Sequence, residues 1–486
     1  MSLLQQKLLE LRETSDKGVK DITHETYRSY EEIFKRSERY SREFSKSNQE
    51  IISVVLPNSI EYLEVMIACL MTGNIFNPIP YFTSDEELNR IFKYVKPRLV
   101  ISDRKKSPKK KNSISFINPE DIKEVSSDEE NNFEDSSIEG SKIASLYYSS
   151  GTTGSPKGVL YSHDNVYYLI ESIIRGFGFT KETKHFSILP FGHTASINYN
   201  IFPSLFLQSE IVIAESFTNI APRFFKIISN EEINYVQVVP TIVYMLLKIR
   251  YGIDDLNLSS LMFLGCGSSI LPLESQIQFE KKFNIRIGNL YGLSETGPTH
   301  IDDPRADNWI PGTIGIPLDV NECKLSEGSE VLIKGKNVFT GYYKNEALYG
   351  EVVKDGWFHT GDLAEYENGK FIYKDRSKDL IIKGGINIVP AEIEEVLYME
   401  EEVLESAVVG VFNEVHGEEI IAAVSLKDQK VDQEAIKAKL YVLLASNLSS
   451  YKHPIDIIFL ESLPKTHSGK LKRREVRSIA EDEYNK

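Results

Sequence analysis

Cysteine is scarce in this chain: three residues in 486, Cys69, Cys266 and Cys323, far apart and without a CxxC pair. So sparse and odd a set excludes a disulfide framework and suits a reducing cytoplasm. The nine histidines show no HxxxH spacing, so no tightly bound transition metal is expected. A basic excess is also missing. Acidic residues outnumber basic ones, 71 against 56, for a formal charge of -15. That balance argues against nucleic acid as the main partner, because a phosphate backbone demands a basic surface. A local basic patch can still take a small anion. Long apolar runs are absent too. The most apolar region, Val65 to Phe82, is broken by Gly73, Asn74, Asn77 and two prolines, so no membrane span is expected. The N-terminal MSLLQQKLLELRETSDKG reads as a short amphipathic helix, with neither the apolar core nor the cleavage site of a signal peptide.

What is present is ordinary for a soluble globular protein: 41% hydrophobic and 26% charged residues, in a length that suggests more than one domain. Strand-like apolar runs alternate with amphipathic helical ones. IISVV (51–55) leads to a helix expected over Ile60–Met71, and NIFNPIPYF begins another strand. EIVIAE (210–215), YVQVVP (235–240), LMFLG (261–265) and IRIGNLYG (285–292) are further strands, with helical patterns such as TIVYMLLKIR between them. Repeated βαβ units imply mostly parallel sheets covered by helices. Residues 104–142 carry blocks of opposite charge with few apolar anchors and read as a mobile surface excursion.

From about 320 to 377 the pattern shifts to short strands and turns, a small β-rich subdomain. Beyond it, NIVPAEIEEVLYM places Pro390 at a first helical position with Glu392, Glu394 and Glu395 in the opening turns. Two strands, a helix from Asp432 and the strand DIIFLES follow. The expected architecture is α/β: a large N-terminal domain over 1–377 and a small mobile α+β domain over 378–486. The boundary falls at Lys378, and no internal repeat is evident.

One stretch stands out chemically. SSGTTGSPKG packs three glycines, five hydroxyls and a lysine into Ser149–Gly158. A Walker A loop fails, because Pro156 stands where a glycine is required and Gly158 follows Lys157 instead of Ser or Thr. The flanking IASLYY and VLYS are both strand-like, so no helix N-terminus lies behind the loop. The fit is a hairpin-like loop whose backbone N–H groups curl into an anion nest, with Ser149, Ser150, Gly151, Thr152, Thr153, Gly154 and Lys157 as phosphate-binding candidates. By itself it reads equally as a flexible Gly/Ser/Thr turn.

Three further motifs follow in order: YGLSETG (291–297), TGDLAEYENGKFIYKDRSKDLIIKGG (360–385) and LPKTHSGKLKRRE (463–475). With the loop, they resemble the adenylate-forming (AMP-binding) superfamily of acyl-CoA synthetases, peptide-synthetase adenylation domains and firefly luciferase. The pattern is nearest to acyl-CoA synthetases, and the similarity covers nearly the whole chain.

The resemblance implies roles. Tyr291 would place its ring against adenine, Ser294 its hydroxyl on the α-phosphate and Glu295 its carboxylate on Mg²⁺, a hard cation that prefers oxygen ligands. Gly267 and Ser268, in LGCGSSILP, would meet adenine through their backbone, although such a strand end is often simply close-packed. Asp362 would accept both ribose hydroxyls and Arg376 would reach the ribose. As bland alternatives, the first is a turn residue and the second a surface charge. Lys378 aligns with an interdomain hinge. Lys470 would bridge a substrate carboxylate and phosphate oxygens as a compact point charge. Alone it reads as one lysine of a solvated basic run with Lys472, Arg473 and Arg474. His193, in LPFGHTASIN, would gate the acyl pocket, although a lone histidine is more often structural. The absence of aspartate from that segment argues against an α-amino acid substrate.

The expected chemistry is two-step. A carboxylic acid attacks the α-phosphorus of MgATP and releases pyrophosphate. The small domain then turns about Lys378, withdraws Lys470 and presents Gly384 and Gly385, and the thiol of CoA takes the acyl group. Two alternatives stand beside this: a freestanding ligase that loads a carrier protein's phosphopantetheine, and a nucleotide- or acyl-binding homologue without catalysis.

Overall fold

The protein is described by a computed structural model. The described residues are 1–486 except 14, 16, 45–48, 105–114, 123–136, 150–156, 250, 251, 254, 467–469 and 486. The side chains of Glu13 and Ser149 also lie outside the description.

The chain folds as a large N-terminal α/β domain with helix-covered parallel sheets, followed by a small α+β domain. Among the described residues, one sheet has seven strands, its middle formed by Ile143–Ser149, Ile75–Pro78, Ile51–Val55 and Leu99–Ser102, all parallel. Every residue of IISVV is buried, as a strand covered on both faces requires. The helix Ile60–Met71 follows, with Ser59 capping the Tyr62 N–H at 3.3 Å. Its apolar residues are buried all round, and of its two carboxylates, Glu61 and Glu64, the second is fully buried. Three guanidiniums meet it: Arg28 at 2.7 Å, Arg36 at 3.1 Å and Arg39 at 2.9 Å. A buried charge persists only when it is paired in this way.

Within 104–142 the charged blocks lie outside the described residues, but the segment between them forms a strand that the composition does not signal. Ser115–Ile117 forms a strand parallel to Leu99–Ser102 and extends the seven-stranded sheet. Its anchor is Phe116, whose ring meets Phe92 edge-on at 6.0 Å. Two apolar residues in register suffice to recruit a strand to an open edge, a signal too short to show as periodicity.

The second large sheet has nine strands. Gly18–Asp21, Ile211–Ile213, His185–Ser187, Tyr235–Val238, Phe263–Cys266 and Ile287–Leu293 run parallel in that order, with antiparallel strands at both ends. The helix His163–Phe177 is held by a capping box between Ser162 and Asn165, and it ends at Gly178 with φ 64°. Removing such a cap typically costs about 1 kcal/mol.

The β-rich part around 320–377 is an antiparallel sheet built on Glu330–Gly335, Trp357–Glu367 and Lys370–Arg376. It is not purely β. A helix, Glu346–Val352, interrupts it, and Gly341–Tyr342 leaves it to pair with Lys157–Ser162 in the seven-stranded sheet. Polar turn residues around Asn345, which caps that helix, hid it from a strand-and-turn reading.

In the small domain, Val403–Asn413 and Gly417–Leu426 form a long hairpin, flanked by Ile381–Lys383 and by Asp456–Phe459. Helix Pro390–Leu397 has proline in its first turn, and Asp432 caps Gln433–Asn447. Contacts join this domain to the large one. Leu273 N–H donates to Glu395 Oε1 at 3.2 Å, Lys427 donates to Gln278 at 3.0 Å, and the rings of Tyr244 and Tyr398 stack at 6.4 Å. Among the described residues no helix is long and apolar enough to cross a membrane.

Candidate active site

The candidate residues come from hairpins and strand ends that the chain separates widely. Lys157 opens the strand Lys157–Ser162, which pairs antiparallel with Ile143–Ser149 so that Ser149 faces Lys157. The two strands are therefore antiparallel neighbours. Of the loop candidates, Ser150, Gly151, Thr152, Thr153 and Gly154 lie outside the described residues, as does the side chain of Ser149.

Asp362 and Arg376 are register partners on the hairpin Trp357–Glu367/Lys370–Arg376. Antiparallel pairing puts their side chains on one face, where Arg376 Nε stands 3.0 Å from Asp362 Oδ1. The Tyr291 hydroxyl donates to Asp362 Oδ2 at 2.9 Å. Asp362 is 1% exposed, and this burial pushes its carboxyl up from the usual range while Arg376 pulls it back. One carboxylate thus links the second motif to the third.

Glu295 is buried at the turn after Ile287–Leu293. Its Oε1 accepts from the Tyr342 hydroxyl at 2.9 Å and its backbone carbonyl from Phe339 N–H at 2.9 Å. The neighbouring Ser294 carbonyl accepts from the Tyr161 hydroxyl at 2.7 Å. Two tyrosines from the strands next to the loop hairpin therefore hold this turn.

Lys470 comes from the far end of the chain. Its N–H donates to Thr466 Oγ1 at 3.1 Å, and its carbonyl accepts from Thr466 N–H at 2.8 Å. Burial first, and then Arg376 and Lys378, lower its ammonium to about 8 against the opposite pull of Asp362 and Glu295. Those influences place Lys470 among residues of the second and third motifs. Lys378, bent through the short turn Ser377–Asp379, is lowered by burial first, then by Arg376, and it also feels Lys157. Arg376, Lys378 and Lys470 therefore all act on Asp362, with Lys157 in electrostatic reach of Lys378, and the excess of cations suits a polyanion.

Gly267 ends the strand Phe263–Cys266, and a β-carbon there would stand 2.8 Å from the Leu290 carbonyl oxygen. Ser268, exposed, holds φ 68°, a left-handed backbone that non-glycine residues adopt rarely. His193 precedes Thr194–Ser196, which runs into a π-helical turn at Ile197–Ile201, a distortion frequent at functional sites. Gly384 and Gly385, with φ 58° and 80°, form the exposed tip between Ile381–Lys383 and Ile386–Ile388. Among the described residues nothing lies within 4 Å of a β-carbon at either.

Sequence reasoning missed Tyr342, Tyr161 and Asp375. Asp375 accepts from Arg376 N–H at 2.7 Å and, across the Lys378 bend, from Ala391 N–H at 3.2 Å in the first turn of Pro390–Leu397. Burial raises its carboxyl to about 6 against the pull of Arg473. Tyrosines are common in this chain, 25 in all, so neither phenol carried a signal before its partner was known.

Residues 12–343 match the AMP-binding enzyme family and residues 392–470 the AMP-binding enzyme C-terminal domain. The chain belongs to the AMP-binding, acid–CoA ligase family of enzymes. Among family members, a long-chain-fatty-acid–CoA ligase of Bacillus subtilis (strain 168) is 35% identical over 354 residues, 69% of this chain and 61% of that relative's length. A 2-succinylbenzoate–CoA ligase of Listeria monocytogenes is 30% identical, over 69% of this chain and 70% of its own. In fold, the chain superposes on ATP-bound MatB from Rhodopseudomonas palustris with a TM-score of 0.86 at 22% identity, covering 99% of each chain. It also superposes on o-succinylbenzoate CoA synthetase from Bacillus subtilis with its acyl-adenylate, with a TM-score of 0.83 at 23% identity over 97% of each chain.

Proposed function

We propose that this chain activates a carboxylic acid with MgATP as an acyl-adenylate and transfers the acyl group to the thiol of CoA. The observation that carries this reading is the buried cluster of Tyr291, Asp362 and Arg376, with Lys470 and Lys378 in electrostatic reach of the same carboxylate. Lys470 is separated from Asp362 by about a hundred residues, and a polyanion site explains why three cations gather there.

In the first step a carboxylate oxygen forms a bond to the α-phosphorus, and the bond to pyrophosphate breaks with its electron pair on the leaving group. No general base is needed, since a carboxylic acid is already ionised near neutral pH. Lys470 neutralises charge between the acid and the α-phosphate, Ser294 donates its hydroxyl to the same phosphate, and Asp362 with Arg376 fixes the ribose. Tyr291 sets the adenine plane and Gly267–Ser268 its edge. The loop that Lys157 borders cradles the outgoing phosphates. Glu295 fits a magnesium ion carried in with ATP: one oxygen is oriented by Tyr342 and the other remains for a metal that needs only one or two protein carboxylates. That ion supplies charge neutralisation on the phosphate oxygens when bound.

In the second step the small domain turns about Lys378 and brings Gly384–Gly385 to the adenylate. The open space around that tip supports its use as a track for a pantetheine arm. The thiolate sulfur then bonds the acyl carbon, and AMP leaves. His193 borders the acyl group. The names of the relatives favour CoA as acceptor, with a carrier-protein phosphopantetheine as the competing thiol. The free, mostly buried thiols Cys69, Cys266 and Cys323 suit a reducing cytoplasm.

The test is ATP–pyrophosphate exchange over a panel of acids, with Lys470→Ala as control, followed by thioester assays with CoA and holo-carrier side by side. Exchange that survives intact in Lys470→Ala refutes the role given to that lysine. ATP binding without exchange for any acid favours a non-catalytic homologue.

A further inference from the structure

The strand that ends at Gly267 carries a second feature on the same face. Side chains alternate along a strand, so Gly265 and Gly267 point to one side. In register, Gly265 pairs with Gln237 on the parallel strand Tyr235–Val238, so Tyr235 and Gln237 share that side. Two glycines in alternation leave a groove running inward from the end of the strand, beside the residues assigned to ATP.

The groove is filled. A β-carbon on Gly265 would collide with the Tyr235 hydroxyl and stand 2.6 Å from Gln237 Oε1. At Gly267 the Gln237 Nε2 atom is 3.5 Å from the same position. Tyr235 and Gln237 are fully buried and locked together, with the phenol donating to Gln237 Oε1 at 2.6 Å and the amide donating to the Val238 carbonyl at 3.1 Å. Behind them Phe177 closes the space, edge-on to Tyr235 at 5.8 Å and 5.8 Å from the ring of Tyr199. Tyr199 belongs to the π-helical turn that follows His193.

We infer that this enzyme takes compact carboxylic acids, short-chain or small-ring, and that Tyr235 and Gln237 exclude medium- and long-chain fatty acids. The inference rests on the adenylation reading above, because that reading sets adenine against Gly267 and the acid beside His193, and the turn after His193 carries Tyr199 of the same aromatic cluster. An extended chain would have to displace a hydrogen-bonded Tyr–Gln pair from a packed aromatic interior, and inserting bulk into such an interior is strongly disfavoured. The chemistry thus differs from that named for the long-chain relative.

The decisive experiment is pyrophosphate exchange by the unmodified full-length chain with acetate, butyrate, hexanoate and benzoate against octanoate, dodecanoate and hexadecanoate. The expected result is that kcat/KM for the best compact acid exceeds that for dodecanoate by at least about 100-fold. Tyr235→Ala, which opens the groove, is expected to raise kcat/KM for octanoate by about tenfold, a gain that misfolding cannot produce. Equal or better exchange with long chains would overturn the inference and leave the adenylation reading standing. Exchange with no acid of either class would remove the adenylation reading, and this inference with it. If Tyr235→Ala folds, as judged by its melting transition, yet gains nothing on octanoate, the pair is not the gate.

Discussion

The Tyr342 hydroxyl donates to Glu295 Oε1 at 2.9 Å, and Tyr342 is itself paired through its backbone to Val159 of the strand that Lys157 opens. The tyrosine therefore couples the carboxylate proposed for magnesium to the hairpin proposed for phosphates. Tyr342→Phe keeps the ring and removes the bond. The expected outcome is a magnesium requirement raised about tenfold at fixed ATP, the usual scale for losing a partner that orients a metal ligand, with a nearly unchanged melting temperature. Titrating magnesium in the exchange assay checks it; an unchanged titration would mean that the bond does not orient Glu295.

Lys470 is lowered to about 8 by burial first and by Arg376 next. Its role needs the ammonium, which is present below that value and lost as pH rises through it. The kcat/KM for ATP in the exchange reaction should therefore fall on the alkaline side, with a midpoint near 8. Lys470→Arg should abolish that limb while retaining some activity. A pH profile that Lys470→Arg leaves in place would assign the limb to another group.

Asp375 ties the last strand before the Lys378 bend to the first turn of Pro390–Leu397 through Ala391 N–H. The bond exists in the orientation that holds Lys470 at the site. Asp375→Ala should slow adenylate formation several-fold, on the scale of about 1 kcal/mol for one hydrogen bond, while sparing thioester formation from preformed adenylate. Single-turnover measurement of the two halves separates these outcomes. Equal loss in both would point to a general folding defect.

His163 and His185 are fully buried, with no hydrogen-bond partner on their ring nitrogens among the described residues. Burial lowers them to about 4 and about 3 respectively. A histidine lowered in the folded state binds its proton more readily when unfolded, so stability is intact above the unfolded value of 6.5 and is lost as pH falls below it. Each should cost about 2 kcal/mol by pH 5. Urea midpoints at pH 7.5 and pH 5 are expected to separate, and by less in His185→Phe. Parallel pH dependence in that variant would exclude His185 as a contributor.

Much of the fold was legible in the chain because it rests on local regularity. The helix expected over Ile60–Met71 is found at those bounds, since an apolar run after a serine cap specifies both its start and its character. The strand Ser115–Ile117 and the helix Glu346–Val352 were not legible. Each is short, and each depends on a neighbour's edge or a cap more than on its own pattern. The candidate site divides in the same way. Glu295, Asp362, Arg376 and Lys470 stand in motifs a reader can find, whereas Tyr342, Tyr161 and Asp375 declare themselves only through partners 47, 133 and 16 residues away.

By itself, then, the sequence determined the alternation of strands and helices, the two strands that flank the glycine-rich loop and the identity of the groups proposed to hold a polyanion. These follow from periodicity, turn chemistry and residue type, which act over a few residues. Only the tertiary structure decided that Lys470 comes within electrostatic reach of Asp362 and Glu295, that Tyr342 steadies Glu295, and that Tyr235 and Gln237 fill the groove beside Gly267. Those relations depend on which side chains the packing of distant segments brings together, and no local pattern encodes that.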